Sequence, residues 1–282
     1  MEFVVFGILT GCALLLATVG FSMIRRIEGF LNVAHGQMLT VGAYTAYVLN
    51  ANLGWNIVPA GVGAVIATSI IGWLVARLIF FPVRRAGPVM LVITSVGAAY
   101  IVHGVVEAIF GVRVKQFQMP PMRAFRFGDM PVAAPDQIAM VVVAALSALF
   151  LHLLLTRTET GKAIRAMAND FDLARIRGVN TSRLTNYVWL IASGLGGLAG
   201  VMLGLIGRIY TDMGWDNIMI VMIVAILGGL GSIYGVMGAA IFIGLATSLS
   251  VMVLPAQYSQ SIAFLLIILV LLIRPQGIFR EV

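Results

Sequence analysis

The chain has 282 residues, 61% of them hydrophobic and only 10% charged, with a mean hydropathy of +1.04 and a formal net charge of +7. Soluble domains carry roughly a quarter charged residues, so a water-soluble globule is excluded, and the apolar stretches are continuous rather than alternating, which excludes a membrane β-barrel. What remains is an all-α polytopic membrane protein, whose basic excess marks the side its loops face rather than a nucleic-acid partner.

The first apolar run, 3–24, follows Glu2 and precedes Arg25 and Arg26. A secretory signal has the opposite charge order, so this run reads as a retained span. Its one cysteine, Cys12, is the only one in the chain and offers neither an internal disulfide nor a metal framework. Further spans are expected at 34–50, 57–81, 88–110, 137–156, 184–206, 217–229, 236–254 and 257–273. A full crossing needs about 20 residues. The 217–229 run is shorter, so it is a half-helix or begins earlier, and the expected count is eight or nine helices, some broken. With nine, placing Arg25 and Arg26 inside puts thirteen of the eighteen basic residues at the cytoplasmic face, the N-terminus outside and the C-terminus inside.

Two polar stretches separate the spans. Residues 111–136 are rich in proline and aromatics and read as an ordered external loop, with Asp136 placed to cap a helix opening at Gln137. In 157–183, Ile164, Met167, Ala168 and Phe171 recur at helical spacing. That pattern gives a short amphipathic cytoplasmic helix pair, with Gly178 as a stop and Thr181 or Ser182 as the next cap. In the following span Gly196, Gly200 and Gly204 form a small-residue face for close helix packing.

The segment 25–38, RRIEGFLNVAHGQM, interrupts the apolar pattern most sharply. A polar, glycine-containing break is tolerable at membrane depth only at an interface or beside a water-filled cavity. Asn32 is expected to cap the next helix, whose first turn holds Val33, Ala34 and His35, with Gln37, Thr40 and Tyr44 extending a polar set along it. A second glycine-broken helix entry, at 225–245 with Ser232 near the break, is expected on the same side of the membrane. Paired interrupted segments of this kind point to a solute pathway and an internal pseudo-repeat. His103 and Glu107 are i,i+4 neighbours within a span and join the pathway candidates, whereas His152 reads as an interface residue. No metal-ligand spacing and no GxxxxGK[ST] phosphate loop occurs in the sequence.

Three stretches together resemble the permease subunits of branched-chain amino-acid ABC transporters, the LivH-like family: IEGFLNVAHGQMLTVGAYTAY, RTETGKAIRAMANDFDLARIRGVN, and ILGGLGSIYGVMGAAIFIGL followed by RPQGIF. The resemblance implies a single transmembrane permease domain over 1–282 in a bacterial inner membrane, without enzymatic activity of its own. It implies a homologous LivM-like permease partner, two ATP-binding subunits that hold ATP and magnesium, and an external solute-binding protein. It further implies that the cytoplasmic loop docks into the ATPase. The family's E-A-A-x-x-x-G pattern falls on Asp172-Leu173-Ala174-Arg175-Ile176-Arg177-Gly178, with Asp for Glu and Leu for the first Ala. Lys162, Arg165, Phe171, Asp172, Ala174, Arg175 and Gly178 are the coupling candidates. Two departures, Gln37 where the family often has Glu and the His103–Glu107 pair, leave open a solute other than a branched-chain amino acid: urea, a short amide or an aromatic acid. A proton-coupled secondary transporter using His103 and Glu107 is the rival class, and an intramembrane enzyme joining His35 and His103 is a third.

Overall fold

The computed structural model describes residues 2–120, 125–127, 130–229, 232–252, 255 and 258–273. The C-terminal RPQGIF motif with Arg274 and Arg280, Leu230 and Gly231 of the second break, and parts of the 111–136 loop lie outside these residues. The helices are α1 (Glu2–Glu28), α2 (His35–Tyr47), α3 (Ile57–Val75), α4 (Phe81–Val83), α5 (Pro88–Phe110), α6 (Pro135–Arg157), α7 (Glu159–Asn169), α8 (Phe171–Ile176), α9 (Thr181–Ile206), α10 (Met213–Gly228), α11 (Ile233–Ser250) and α12 (Ser259–Ile273). Wide π turns follow α2 at Val48–Asn52 and α3 at Ala76–Phe80. A hairpin of β1 (Phe125–Phe127) and β2 (Met130–Ala133) sits in the loop before α6. Among the described residues six helices are long and apolar enough to cross a membrane, and α10 is a shorter apolar helix. The molecule is thus an all-α polytopic membrane protein, and the short 217–229 run does begin earlier, at Met213.

Local chemistry sets the boundaries. Pro88 and Pro135 open their helices, where a missing N–H costs nothing. Asn56, Thr158, Asp170 and Asn180 each accept a backbone N–H of the helix that follows. Three expected caps are corrected. Asn180, not Thr181 or Ser182, caps α9. Asp136 lies inside the first turn of α6, which opens two residues before Gln137, and the Gln137 side chain instead accepts the Ala134 N–H at 3.0 Å. Asn32 makes no side-chain cap on α2, and only its backbone carbonyl bonds the His35 N–H. The stop at Gly178 holds: its φ of +85° lets Val179 and Gly178 donate to Ala174 and Arg175, satisfying the last carbonyls of α8.

The packing has an inverted internal symmetry. Helix α1 packs on α9 and α11, while α9 packs on α1 and α3. Each long helix is followed by a short irregular segment, 29–34 after α1 and 207–212 after α9, that returns toward the bundle interior and starts a short helix. These short helices, α2 and α10, meet at glycines. A Cβ on Gly36 would lie 2.6 Å from the Gly214 carbonyl oxygen, and one on Gly214 would lie 2.7 Å from that of Gly36. Only glycine on both sides permits backbones this close. The structural counterpart of 29–36 is therefore 207–214, rather than the 225–245 segment the sequence suggests.

Candidate functional site

Helix α2 starts deep in the bundle. After Glu28 the chain reverses at Gly29, whose φ of +75° favours glycine, and His35 comes to lie beside Ala17 of α1. Its Nε2–H donates to the Ala17 carbonyl at 2.9 Å. Ala17 precedes the end of α1 by eleven residues, about 16 Å at 1.5 Å per residue, so α2 is a half-helix beginning near mid-span. The Val33 N–H, just before α2, donates to Ser95 Oγ of α5 at 3.1 Å, which serves one backbone amide at this buried helix entry. The small face of α9 receives the half-helix: Gly196 faces His35 and Met38, Gly200 faces Leu39, and Gly204 faces Phe117 and Ile209.

The structure brings Asn32, His35, Gln37, Thr40 and Tyr44 together on and just before α2, all at 1% exposure or less. Thr40 Oγ1 points at Gly214 of α10, and Ser193 and Thr68 line the α9–α3 contact beside Gly72 and Gly197. Asn32 Oδ1, His35 Nδ1, Gln37 Oε1, Thr40 Oγ1 and the Tyr44 hydroxyl have no hydrogen-bond partner among the described residues. A buried polar atom normally has a partner, in protein, water or ligand. Two grooves of about 490 Å³ and 310 Å³ between α3, α6 and α9 lie elsewhere and are almost wholly apolar, so they suit lipid rather than this polar set.

His103 forms a second group, at the opposite end of α2. Its Nε2 lies 3.6 Å from Glu107 and 3.7 Å from Asp212, and its ring meets Trp215 edge-on at 6.4 Å. Asp212 ends the second re-entrant segment, which is pinned by a reciprocal backbone pair between Ile209 and Lys115 of the loop after α5. The sequence reading missed Asp212. A charged residue just before the glycine-containing start of α10 was the available signal. Ser232 is not part of either group: it lies between α10 and α11, and its hydroxyl accepts the Gly235 N–H at 3.0 Å as the α11 cap. Ile233, the first residue of α11, lies beside Met23, Arg26 and Ile27 at the end of α1, so α11 and α2 do not start at the same depth. His152, read as an interface residue, bonds the Tyr234 hydroxyl at 2.7 Å near the same end.

The helix pair α7–α8 lies across that end. Ile164 and Met167 are buried against α1, α6 and the start of α9, with Ala168 and Phe171 packed on the same core. The amphipathic stripe thus needs no external groove, because the chain's own bundle covers it. Ala174 is buried as well, whereas Lys162, Arg165, Asp172, Arg175 and Gly178 are exposed, and Lys162 pairs with Glu159 at 3.0 Å. The outward apolar surface is instead Leu173, 49% exposed, and Ile176, 80% exposed.

Comparisons with known proteins agree with this architecture. The sequence matches the family described as branched-chain amino acid transport system / permease component over residues 3–271. It is 31% identical to the high-affinity branched-chain amino acid transport system permease protein LivH of Escherichia coli K12, over 96% of this chain and 92% of that protein. It is 30% identical to BraD, a permease protein of the corresponding Pseudomonas aeruginosa system, over 96% and 93%. LivM of E. coli K12 is 24% identical over 92% of this chain and 66% of its own length. Among solved structures, PsaBC from Streptococcus pneumoniae shares the fold, with a TM-score of 0.53 at 14% identity over 98% of this chain and 93% of that one. The chain therefore belongs to the branched-chain amino acid transport permease family, as a multi-pass membrane protein of the LivH-like kind.

Proposed function

We propose that this chain is one of two permease subunits of an ATP-driven importer and that it works beside a homologous LivM-like partner. An external solute-binding protein delivers the solute to the face carrying the loop after α5. Two separate subunits bind ATP and magnesium at the face carrying α7–α8. In this reading the N-terminus is external and the C-terminus cytoplasmic. The observation that carries it is the pair of apolar side chains, Leu173 and Ile176, held outward on a short capped helix at one end of a bundle that has already buried its own stripe. Exposed apolar groups beside charged ones on a rigid helix suit a protein partner rather than water. ATP closure of the partners would displace α8 and bias a two-state equilibrium between outward-facing and inward-facing forms.

The solute path passes the α2 polar set and the His103–Glu107–Asp212 group, where unpaired polar atoms would be served by water or solute. The solute is a branched-chain or other hydrophobic amino acid. A second reading, urea, a short amide or an aromatic acid in the same transporter class, draws on the acidic His103 group and on Gln37. Uptake into vesicles that stops on ATP depletion and survives a collapsed proton gradient is the expected result. The opposite pattern would select a proton-coupled carrier using His103 and Glu107. A thermal-shift screen of the binding protein against amino acids, amides and aromatic acids decides the solute.

A further inference from the structure

We infer that the Glu28–Arg84 ion pair is the joint through which α8 moves the first re-entrant segment, an inference that rests on the transporter reading above. Glu28 is the last residue of α1 and directly precedes the turn at Gly29. Its carboxylate side chain is 4% exposed, holds Arg84 Nε at 3.0 Å and accepts the Trp189 Nε1–H of α9 at 3.3 Å. The same guanidinium lies over the ring of Phe171, 4.9 Å from its centroid, and Phe171 is the first residue of α8. One cation therefore touches both the helix that presents Leu173 and the carboxylate at the base of the segment that carries Asn32.

The surroundings link the same elements further. Phe30, just past Gly29, stacks on Phe80 at 5.5 Å, and Phe80 stacks on Trp189 at 5.1 Å. A second tie joins the same two regions, from Arg26 Nη2 to the Asn169 side chain at 3.5 Å, at the α7–α8 junction. Holding a carboxylate as buried as Glu28 against a cation is a poor device for stability alone, because apolar residues of similar volume often serve as well or better. A cation shared between the first residue of α8 and the carboxylate at the end of α1 ties the two elements through one side chain, which is what a mechanical relay requires. When α8 shifts, Arg84 follows Phe171, Glu28 loses its partner, and residues 29–34 turn about Gly29 away from Ser95.

The test uses the assembled transporter in vesicles, with Cys12→Ala and Leu31→Cys placing a single label site in the re-entrant segment. Maleimide labelling of Cys at 31 is measured with and without ATP plus vanadate, beside uptake per ATP hydrolysed. Glu28→Gln and Arg84→Gln should each abolish the nucleotide-dependent change in labelling and lower uptake per ATP about tenfold. Arg84→Lys, which keeps the charge at the carboxylate, should retain a measurable part of both. Three results would overturn the relay: variants that label and couple as the parent does, variants that lose uptake and ATPase in equal proportion with the labelling response intact, or a parent whose labelling ignores nucleotide while its uptake is ATP-driven. Uptake independent of ATP in the parent would instead defeat the transporter reading itself.

Discussion

Residues 29–34 and 207–212 each carry the chain from the end of a long helix back into the bundle, and each ends at a short helix whose glycine abuts the other's. Their chemistry differs. The first delivers Asn32, His35 and Gln37 into full burial and is latched at its base by Glu28, Arg84 and Trp189. The second delivers Asp212 and Asp216 to an exposed rim, where Asp216 accepts the Tyr210 hydroxyl at 2.8 Å, and it is latched by backbone to Lys115. One backbone plan thus supports a sealed polar interior on one side and an open acidic mouth on the other.

The largest expected effect breaks what the two segments share. Gly36→Leu or Gly214→Leu forces a side chain into a carbonyl at under 3 Å, so each should cost about 3 kcal/mol or more and leave little folded protein in detergent size-exclusion profiles. Either variant recovered with the parent's melting temperature would dissolve the crossing described here. Next comes Leu173→Ser combined with Ile176→Ser. Both positions are exposed in the chain, so its melting should be unchanged while co-purification of ATP-binding subunits and ATP-driven uptake fall at least about tenfold. Uptake at the parent level would remove the docking face.

The third pair sharpens the contrast between the segments. His35→Leu removes the bond from Nε2 to the Ala17 carbonyl, which keeps its own helical partner, and should destabilise by about 1 kcal/mol, read as a lower melting temperature. Asp212→Asn, on the open side, should leave melting unchanged and raise the uptake KM severalfold. If the two variants exchanged phenotypes, the division into sealed interior and open mouth would be reversed. The smallest effect is Ser232→Ala, which removes only a helix cap and should cost about 1 kcal/mol with uptake per folded molecule intact. A changed KM would return Ser232 to the pathway.

Much of the bundle was legible because a span announces itself: every backbone group at membrane depth must be bonded within its own helix, so long apolar runs have one outcome. The runs at 57–81, 88–110 and 137–156 accordingly became α3 with its π turn, α5 and α6 within a few residues. Depth was not legible. Asn32 and Ser232 both follow glycine in a polar break before an apolar helix, yet one lies well inside the bundle and the other caps a turn at its end. Which of the two occurs depends on whether a neighbouring helix offers a glycine face to admit backbone, as α9 does with Gly196 and Gly200. What covers the amphipathic stripe was not legible for a similar reason. Periodicity shows that Ile164 and Met167 must be covered, but not by what.

By itself, then, the sequence determined class, helix order, the stop at Gly178 and the family, since each follows from interactions between residues near in the chain or from motifs read directly. Tertiary structure alone decided that 29–36 pairs with 207–214, that Asp212 joins His103, that Leu173 and Ile176 are the free apolar face, and that Arg84 bridges Glu28 and Phe171. Those are contacts between residues far apart in the chain, and their geometry is fixed by how closely whole helices approach, a property that no local pattern carries.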